Sequence, residues 1–467
     1  MVGPPRGAPN IMTQQEKRQE LPRAQVITNQ ALSSFYRFIH IQASSGIVLL
    51  LVAIAAMIWA NSPFAENYNH IWHSTIGINI AGFEISQSLH FWINDGLMTF
   101  FFLVVGMEVR YEIHNGSLST IRDAVLPISA AIGGVALPAL IYLSFNLEAS
   151  RQAGWAIPTA TDIAFAVGLL ALLGSGISHN IRVFLLALAI IDDIVAVLII
   201  ALFYSSGLEL SGFYLIAAGI LMVLALHRMG INSAWGYVIP GFIVWFGVLK
   251  TGAHPTLAGV ILGLLTPVTR ARSYLTPLEK IQRYNQELVE KRLKEDTPHD
   301  LMSPIEKLRR AQRDIVPPAI RMQAVLHPWV AFLVMPIFAL ANAGISLDGI
   351  DLTQGGSLWV TAGVAIALVV GKPAGIIGAS WLAVKLGMTR LPAGVTWGGI
   401  TLVSLFAGIG FTMSIFISML AFSDINLLNA AKLGVLCGSV VAGILGMLWG
   451  VVWIRRNKAK EAAQASA

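Results

Sequence analysis

Long apolar runs separated by short polar connections make up most of the chain. A run of about 20 such residues crosses the hydrocarbon core of a bilayer as a helix. On that pattern twelve spans are expected, at about 41–60, 89–109, 124–145, 154–174, 181–204, 212–227, 234–249, 253–266, 326–345, 358–385, 396–421 and 431–454. Three of these depart from a plain apolar helix. The fourth contains Pro158 and the polar cluster Thr159-Ala-Thr-Asp162, the eighth is short, and the eleventh contains Gly408-Ile-Gly410.

Outside the spans the pattern changes period. Over 73–87 apolar residues alternate on both sides of Ala81-Gly82, which predicts a short external β-hairpin. A long polar insertion near 272–316 carries two capping boxes, Thr276-Pro-Leu-Glu279 and Ser303-Pro-Ile-Glu306, and predicts helices at about 277–295 and 304–315. The first apolar run reads as a retained membrane helix and not as a cleavable signal. The chain thus divides into a polar N-terminal tail (1–40), a transmembrane domain (41–456) and a C-terminal tail (457–467).

Composition agrees with the runs. Of 467 residues 55% are hydrophobic and 12% charged, against about 25% charged in a soluble domain, and the mean hydropathy is +0.69. The net charge of +6 does not point to nucleic acid, because the basic residues fall in connections between apolar runs. They set the orientation instead. With the N-terminus in the cytoplasm, all of the 31 Lys and Arg residues lie on the inner side except Arg151, Lys250, Lys432 and the intramembrane Lys372. Both termini are therefore placed inside. The single Cys437 excludes an intrachain disulfide, and the chain has no Cys/His metal constellation and no nucleotide loop. No enzyme active site and no cofactor is expected.

The candidate chemistry lies within the apolar runs. Asp192 and Asp193 stand side by side in the middle of the fifth. An acid at the bilayer centre costs roughly 2.5–3.5 kcal/mol even on a lenient insertion scale. No packing requirement asks for two, so they point to a cation or a proton as the thing handled. Asp162 follows Pro158, which removes a backbone donor, and two threonines that can bond carbonyls locally. Gly408 and Gly410 mark a second expected break. Each feature alone fits a kink or a close helix crossing. Together with the acids they read as helices broken around a polar cavity, where irregular backbone is tolerated. Spans three to five and ten to twelve are then two three-helix units of opposite orientation, each with a broken middle helix, an arrangement of inverted repeats. Lys372, about half a span from either end, calls for a carboxylate partner, Asp192 or Asp193. Weaker candidates are Glu108 and Glu112 around Arg110, His254 at an outer boundary, and Asn94-Asp95 near the start of span two.

Several stretches resemble the NhaA-type bacterial sodium/proton antiporters, a family already known for inverted repeats. They are Thr159-Ala-Thr-Asp-Ile-Ala-Phe165, Ala187-Leu-Ala-Ile-Ile-Asp-Asp193, Gly371-Lys-Pro373, His327-Pro-Trp-Val330 and Gly408-Ile-Gly-Phe-Thr-Met-Ser-Ile-Phe416. The resemblance runs from about 35 to 456. It implies an all-α inner-membrane antiporter of twelve transmembrane helices, in which broken helices in spans four and eleven cross near the midplane. It implies cation binding at Asp193, with Asp192 beside it, Asp162 near the crossing and Lys372 as the intramembrane base. Two departures stand out. The insertion near 272–316 is longer than the family leads one to expect, and Gln323 and Ala324 occupy positions where a relative has an acid and a histidine tied to pH response. Glu108, Glu112 and His254 remain as candidates for that response.

On this reading Na⁺ or Li⁺, hard cations that favour oxygen ligands, compete with H⁺ for Asp193 and Asp162 with help from Thr161. Sodium leaves as protons enter, and two protons per Na⁺ would make exchange electrogenic. The expected partners are these ions, membrane lipid and a second copy of the chain, paired through the hairpin. An intramembrane aspartyl protease needs facing aspartates on different helices, whereas the conspicuous pair here is adjacent on one. A passive channel leaves Lys372 unexplained.

Overall fold

The computed structural model describes residues 42–465 except 81–82, 117, 206–208, 232–233, 269–276, 294–297 and 347–355. The N-terminal tail and the tip of the expected hairpin at Ala81-Gly82 lie outside the described residues. The rest is an α-helical membrane protein with one two-stranded sheet among the described residues.

In chain order the elements are helices α1 (Gln42–Ala60) and α2 (Ala65–His73), strands β1 (Thr75–Ile80) and β2 (Phe83–Ser88), then α3 (Leu89–Asn115), α4 (Ile121–Phe145), α5 (Ala149–Thr159), α6 (Ile163–Leu172) and α7 (His179–Phe203). They continue as α8 (Leu210–Arg228), α9 (Trp235–Thr251), α10 (Leu257–Leu265), α11 (Pro277–Leu293), α12 (Pro298–Arg313), α13 (Pro318–Asn342), α14 (Ser357–Lys385), α15 (Trp397–Ala407), α16 (Phe411–Ala421) and α17 (Ile425–Ala465).

Seven described helices are long and apolar enough to span a membrane, or ten if each of three bent pairs counts as one. The bent pairs are α1 with α2 (111°), α5 with α6 (42°) and α15 with α16 (46°). The two remaining expected spans, 234–249 and 253–266, correspond to α9 and to the nine-residue α10, both below the length that passes alone.

Polar caps set several helix starts. The Thr120 side chain accepts from Asp123 N at the start of α4, Thr396 from Gly399 N at α15, and Asp424 from Asn426 N and Leu427 N at α17. The second insertion helix departs from expectation. It begins at Pro298 and carries Pro304 inside it, so Ser303 does not cap it. α17 also continues to Ala465, because Lys458, Lys460, Glu461 and the following alanines favour helix although they end the apolar run.

The hairpin pairs Thr75 with Ser88 through to Ile80 with Phe83, in antiparallel register. Leu89 N to Ser74 O (2.8 Å) and Trp92 Nε1 to Ile76 O (3.2 Å) tie it to α3.

Glycines let the helix backbones approach. A methyl group on Gly133 of α4 would lie 2.2 Å from Gly375 O of α14, and one on Gly375 would lie 2.1 Å from Gly133 O. Gly259 of α10 meets Thr99 O of α3 in the same way, at 2.2 Å. Apolar membranes offer helices little hydrophobic drive to associate, so close packing through small residues carries the contact.

Candidate functional site

The chain is interrupted between α5 and α6 and again between α15 and α16, and the two interruptions touch. Residues 153–159 wind as a 3-10 helix through Pro158, and Ala160 and Asp162 are extended (ψ 153° and 98°) before α6 begins. An interruption frees backbone groups, and at membrane depth each needs a partner. Asp162 N donates to Ile409 O at 2.8 Å. Thr161 Oγ1 lies 2.9 Å from Ala407 O. Ser414 Oγ donates to Ile157 O at 2.7 Å, and Lys372 Nζ donates to Thr159 O at 2.5 Å. Phe411 N donates to Ser439 Oγ of α17 at 3.0 Å.

Asp162 sits where two helix starts converge. Its Oδ1 caps α6 by accepting from Phe165 N at 3.1 Å. Its Oδ2 accepts from Thr412 N at 3.2 Å and from the Thr412 hydroxyl. A carboxylate at two helix N-termini is favoured by their dipoles, and Lys372 complements the opposite end of α5 in the same sense.

On α7, successive residues point about 100° apart, and Asp192 and Asp193 receive different treatment. Asp192 Oδ2 lies 3.0 Å from Lys372 Nζ and 2.7 Å from Thr161 Oγ1. Lys372 is wholly buried, follows a π-helical turn (Ala367–Gly371), and its stem passes Gly134, where an added methyl group would stand 3.9 Å from Lys372 Cε. Of the two expected partners for Lys372, Asp192 is therefore the one bonded. Asp193 is 1% exposed, and neither of its carboxyl oxygens has a hydrogen-bond partner. A bare ionised carboxylate costs a great deal when buried, so this group carries a proton or faces a cation.

The structure thus gathers Asp162, Thr161, Asp192, Asp193 and Lys372 around the paired interruptions, with Pro158, Gly408 and Gly410 in the chain segments that form them. Asp193 and Asp162 bring carboxylate oxygens to this region, and among the described residues no group of three or more His, Cys, Asp or Glu is arranged so as to hold a metal ion. Glu108, Glu112 and His254 do not form one group. Glu108 and Glu112 lie at the far end of α3, with Glu108 within electrostatic reach of Asp193. His254 lies toward the other end of α3, with Nε2 3.3 Å from Asp95 Oδ1 and Nδ1 3.0 Å from Thr256 Oγ1. Asn94 joins a network with His90 and Asn342 in a π-helical turn, Trp92–Leu97. Sequence reasoning missed Thr412, Ser414 and Ser439. A hydroxyl in a span commonly bonds its own helix, as Ser418 does to Ser414 O, so no local signal singles those three out.

Comparison with known proteins gives a consistent result. Residues 36–449 match the family described as Na+/H+ antiporter 1. The chain is 58% identical over 453 residues to the Na(+)/H(+) antiporter NhaA of Bordetella petrii, with 96% of each covered. It is 60% identical over 443 residues to the Na(+)/H(+) antiporter NhaA 2 of Pseudomonas putida, covering 95% of this chain and 98% of the relative. It is also 60% identical over 439 residues to the Na(+)/H(+) antiporter NhaA of a Janthinobacterium strain, covering 94% and 97%.

Proposed function

The chain belongs to the Na+/H+ antiporter 1 family, and from that premise we propose that it exports Na⁺, or Li⁺, in exchange for protons at the paired interruptions of α5/α6 and α15/α16. It is a Na⁺/H⁺ antiporter and a multi-pass membrane protein. The bacterial inner membrane, with both termini cytoplasmic, is the setting that the basic connections favour.

The observation that carries the site assignment is Asp193, a buried carboxyl with both oxygens unpartnered. It lies on the same helix as Asp192, which is already engaged by Lys372 and Thr161. The cation takes the Asp193 oxygens together with Asp162 and Thr161. Protons take the same carboxyls when the cation leaves. Na⁺ and H⁺ thus exclude one another, which couples the two fluxes. Asp192, or Lys372 itself, supplies the second exchangeable proton. Two protons against one Na⁺ carry net charge inward, so exchange is electrogenic. Because protons compete for the ligands, exchange is also pH-dependent.

In the full architecture α1 spans alone, with α2 turned 111° away from it, α5/α6 and α15/α16 are each one broken span, and α9 and α10 complete a set of twelve. α4–α7 and α14–α17 form two inverted units that rock to alternate access. Two copies join through the hairpin. The direct test is Na⁺-driven dissipation of an imposed pH gradient in proteoliposomes of the purified protein, repeated with Li⁺ and K⁺. A gradient unaffected by Na⁺ and Li⁺ would overturn the assignment.

A further inference from the structure

Ser439 lies on α17 and carries none of the charge on which exchange depends. It is buried, and its hydroxyl oxygen accepts the backbone N–H of Phe411 at 3.0 Å. Phe411 is the one non-glycine residue with positive φ (20°) among the described residues. A bulky side chain holds that conformation only where its surroundings enforce it. Two contacts do so. The ring of Phe411 packs on Phe165 with centroids 5.3 Å apart, and Ser439 fixes the peptide N–H.

The next residue is Thr412, whose N–H and hydroxyl both meet Asp162 Oδ2. Its direction therefore depends on the peptide that Ser439 holds. The other ties across the interruptions run through Asp162, Thr161, Lys372 and Ser414. On the proposed site assignment the Asp162 carboxyl, Thr161 and Lys372 are the groups that proton and cation exchange acts on, whereas the backbone bond from Asp162 N to Ile409 O and the Ser414 bond to Ile157 O hold the crossing itself. The bond to Ser439 joins the first peptide of α16 to a helix outside the crossing and is independent of proton occupancy.

We propose that Ser439 is a positioning residue for cation binding: it holds the Phe411 peptide so that Thr412 keeps Asp162 aimed into the site. This rests on the assignment of Asp162 to the ion site.

The experiment compares wild type with Ser439→Ala, Ser439→Thr and Ser439→Cys in proteoliposomes, with Asp162→Asn as the control for the site itself. Each is titrated with Na⁺ at one pH for KM and kcat. Ser439→Ala is expected to raise KM for Na⁺ about fivefold, the loss expected for one hydrogen bond, with kcat held within about twofold. Ser439→Thr keeps the acceptor and is expected to restore KM. Ser439→Cys has nearly the size of serine but is a poor acceptor, and it should behave like Ser439→Ala. It carries the test if the alanine variant does not fold. An unchanged KM in Ser439→Ala or Ser439→Cys overturns the proposal. So does a fall in kcat alone, or a KM for Ser439→Thr as high as that for Ser439→Ala. If Asp162→Asn exchanges Na⁺ normally, the site assignment fails instead, which is a separate result.

Discussion

Asp162 N donates to Ile409 O across 2.8 Å, so the two interrupted segments are joined backbone to backbone. The carboxyl of the same residue accepts from Phe165 on one side and from Thr412 on the other. Asp162 is thus a joint between α6 and α16 and, on the proposed assignment, an ion ligand as well. Asp193 makes no such contacts: neither of its carboxyl oxygens has a hydrogen-bond partner. The two acids should respond differently to substitution, Asp162 through geometry as well as charge and Asp193 through charge alone.

Asp193→Asn is expected to abolish Na⁺/H⁺ exchange while the protein remains folded. The amide is nearly isosteric and loses no hydrogen bond, since the acid makes none. Thermal unfolding within a few degrees of wild type, with exchange at background, is the expected pair of results. Exchange near the wild-type rate would remove Asp193 from the site.

Lys372→Ala leaves Asp192 buried without its cation. Breaking a buried pair costs about 3–5 kcal/mol, so a clear fall in thermal stability is expected. Without the positive charge the ionised carboxyls are less favoured, and Na⁺ binding should require a more alkaline medium. Half-activation pH and melting temperature, measured on the same preparation, check both. If neither moves, the ion pair is not what holds Asp192.

Competition makes a quantitative statement about pH. If one Na⁺ displaces one proton, a tenfold rise in Na⁺ lowers the half-activation pH by about 1 unit; if it displaces two together, by about 0.5. The slope is read from exchange rates across pH at several Na⁺ concentrations, and a value near 0.5 is expected. Gln323→Glu with Ala324→His, on α13, should leave it unaltered. A midpoint that ignores Na⁺ but shifts with those two substitutions would reveal a separate sensor.

Deleting 76–86 is expected to give monomers that still exchange ions. A two-stranded hairpin is marginal alone in water, and its outer edges can pair with those of a second copy. Mass measurement in detergent and exchange in proteoliposomes give the two readouts. An unchanged dimer would place the interface on another surface.

Charged residues were readable because of their background. Asp162, Asp192, Asp193 and Lys372 stand in apolar runs, where each costs energy and so declares a purpose. Pro158 and the glycines at 408 and 410 announced interruptions for backbone reasons. Contacts between distant segments were another matter. That Lys372 bonds Asp192 and leaves Asp193 bare depends on the rotation of α7, which two adjacent acids do not specify. Thr412 and Ser439 look like any hydroxyl residues in a span. Helix ends misled where two rules compete: Ser303-Pro304 has the form of a cap, yet the helix begins at Pro298, another proline suited to a first turn.

The backbone accounting at the interruptions bears on ion size. The carbonyls of Ile157, Thr159, Ala407 and Ile409 face donors from Ser414, Lys372, Thr161 and Asp162. Thr161 has one proton for either Ala407 O or Asp192, so on the proposed assignment a cation arriving at Asp193 finds the other three dipoles already engaged and is held chiefly by charged oxygens. Carboxylate oxygens exert a stronger field than carbonyl dipoles, and a strong field best repays the dehydration of a small ion. The expected consequence is exchange with Li⁺ and Na⁺, which gain enough at such a site to shed water, and none with K⁺, which is larger and less strongly attracted.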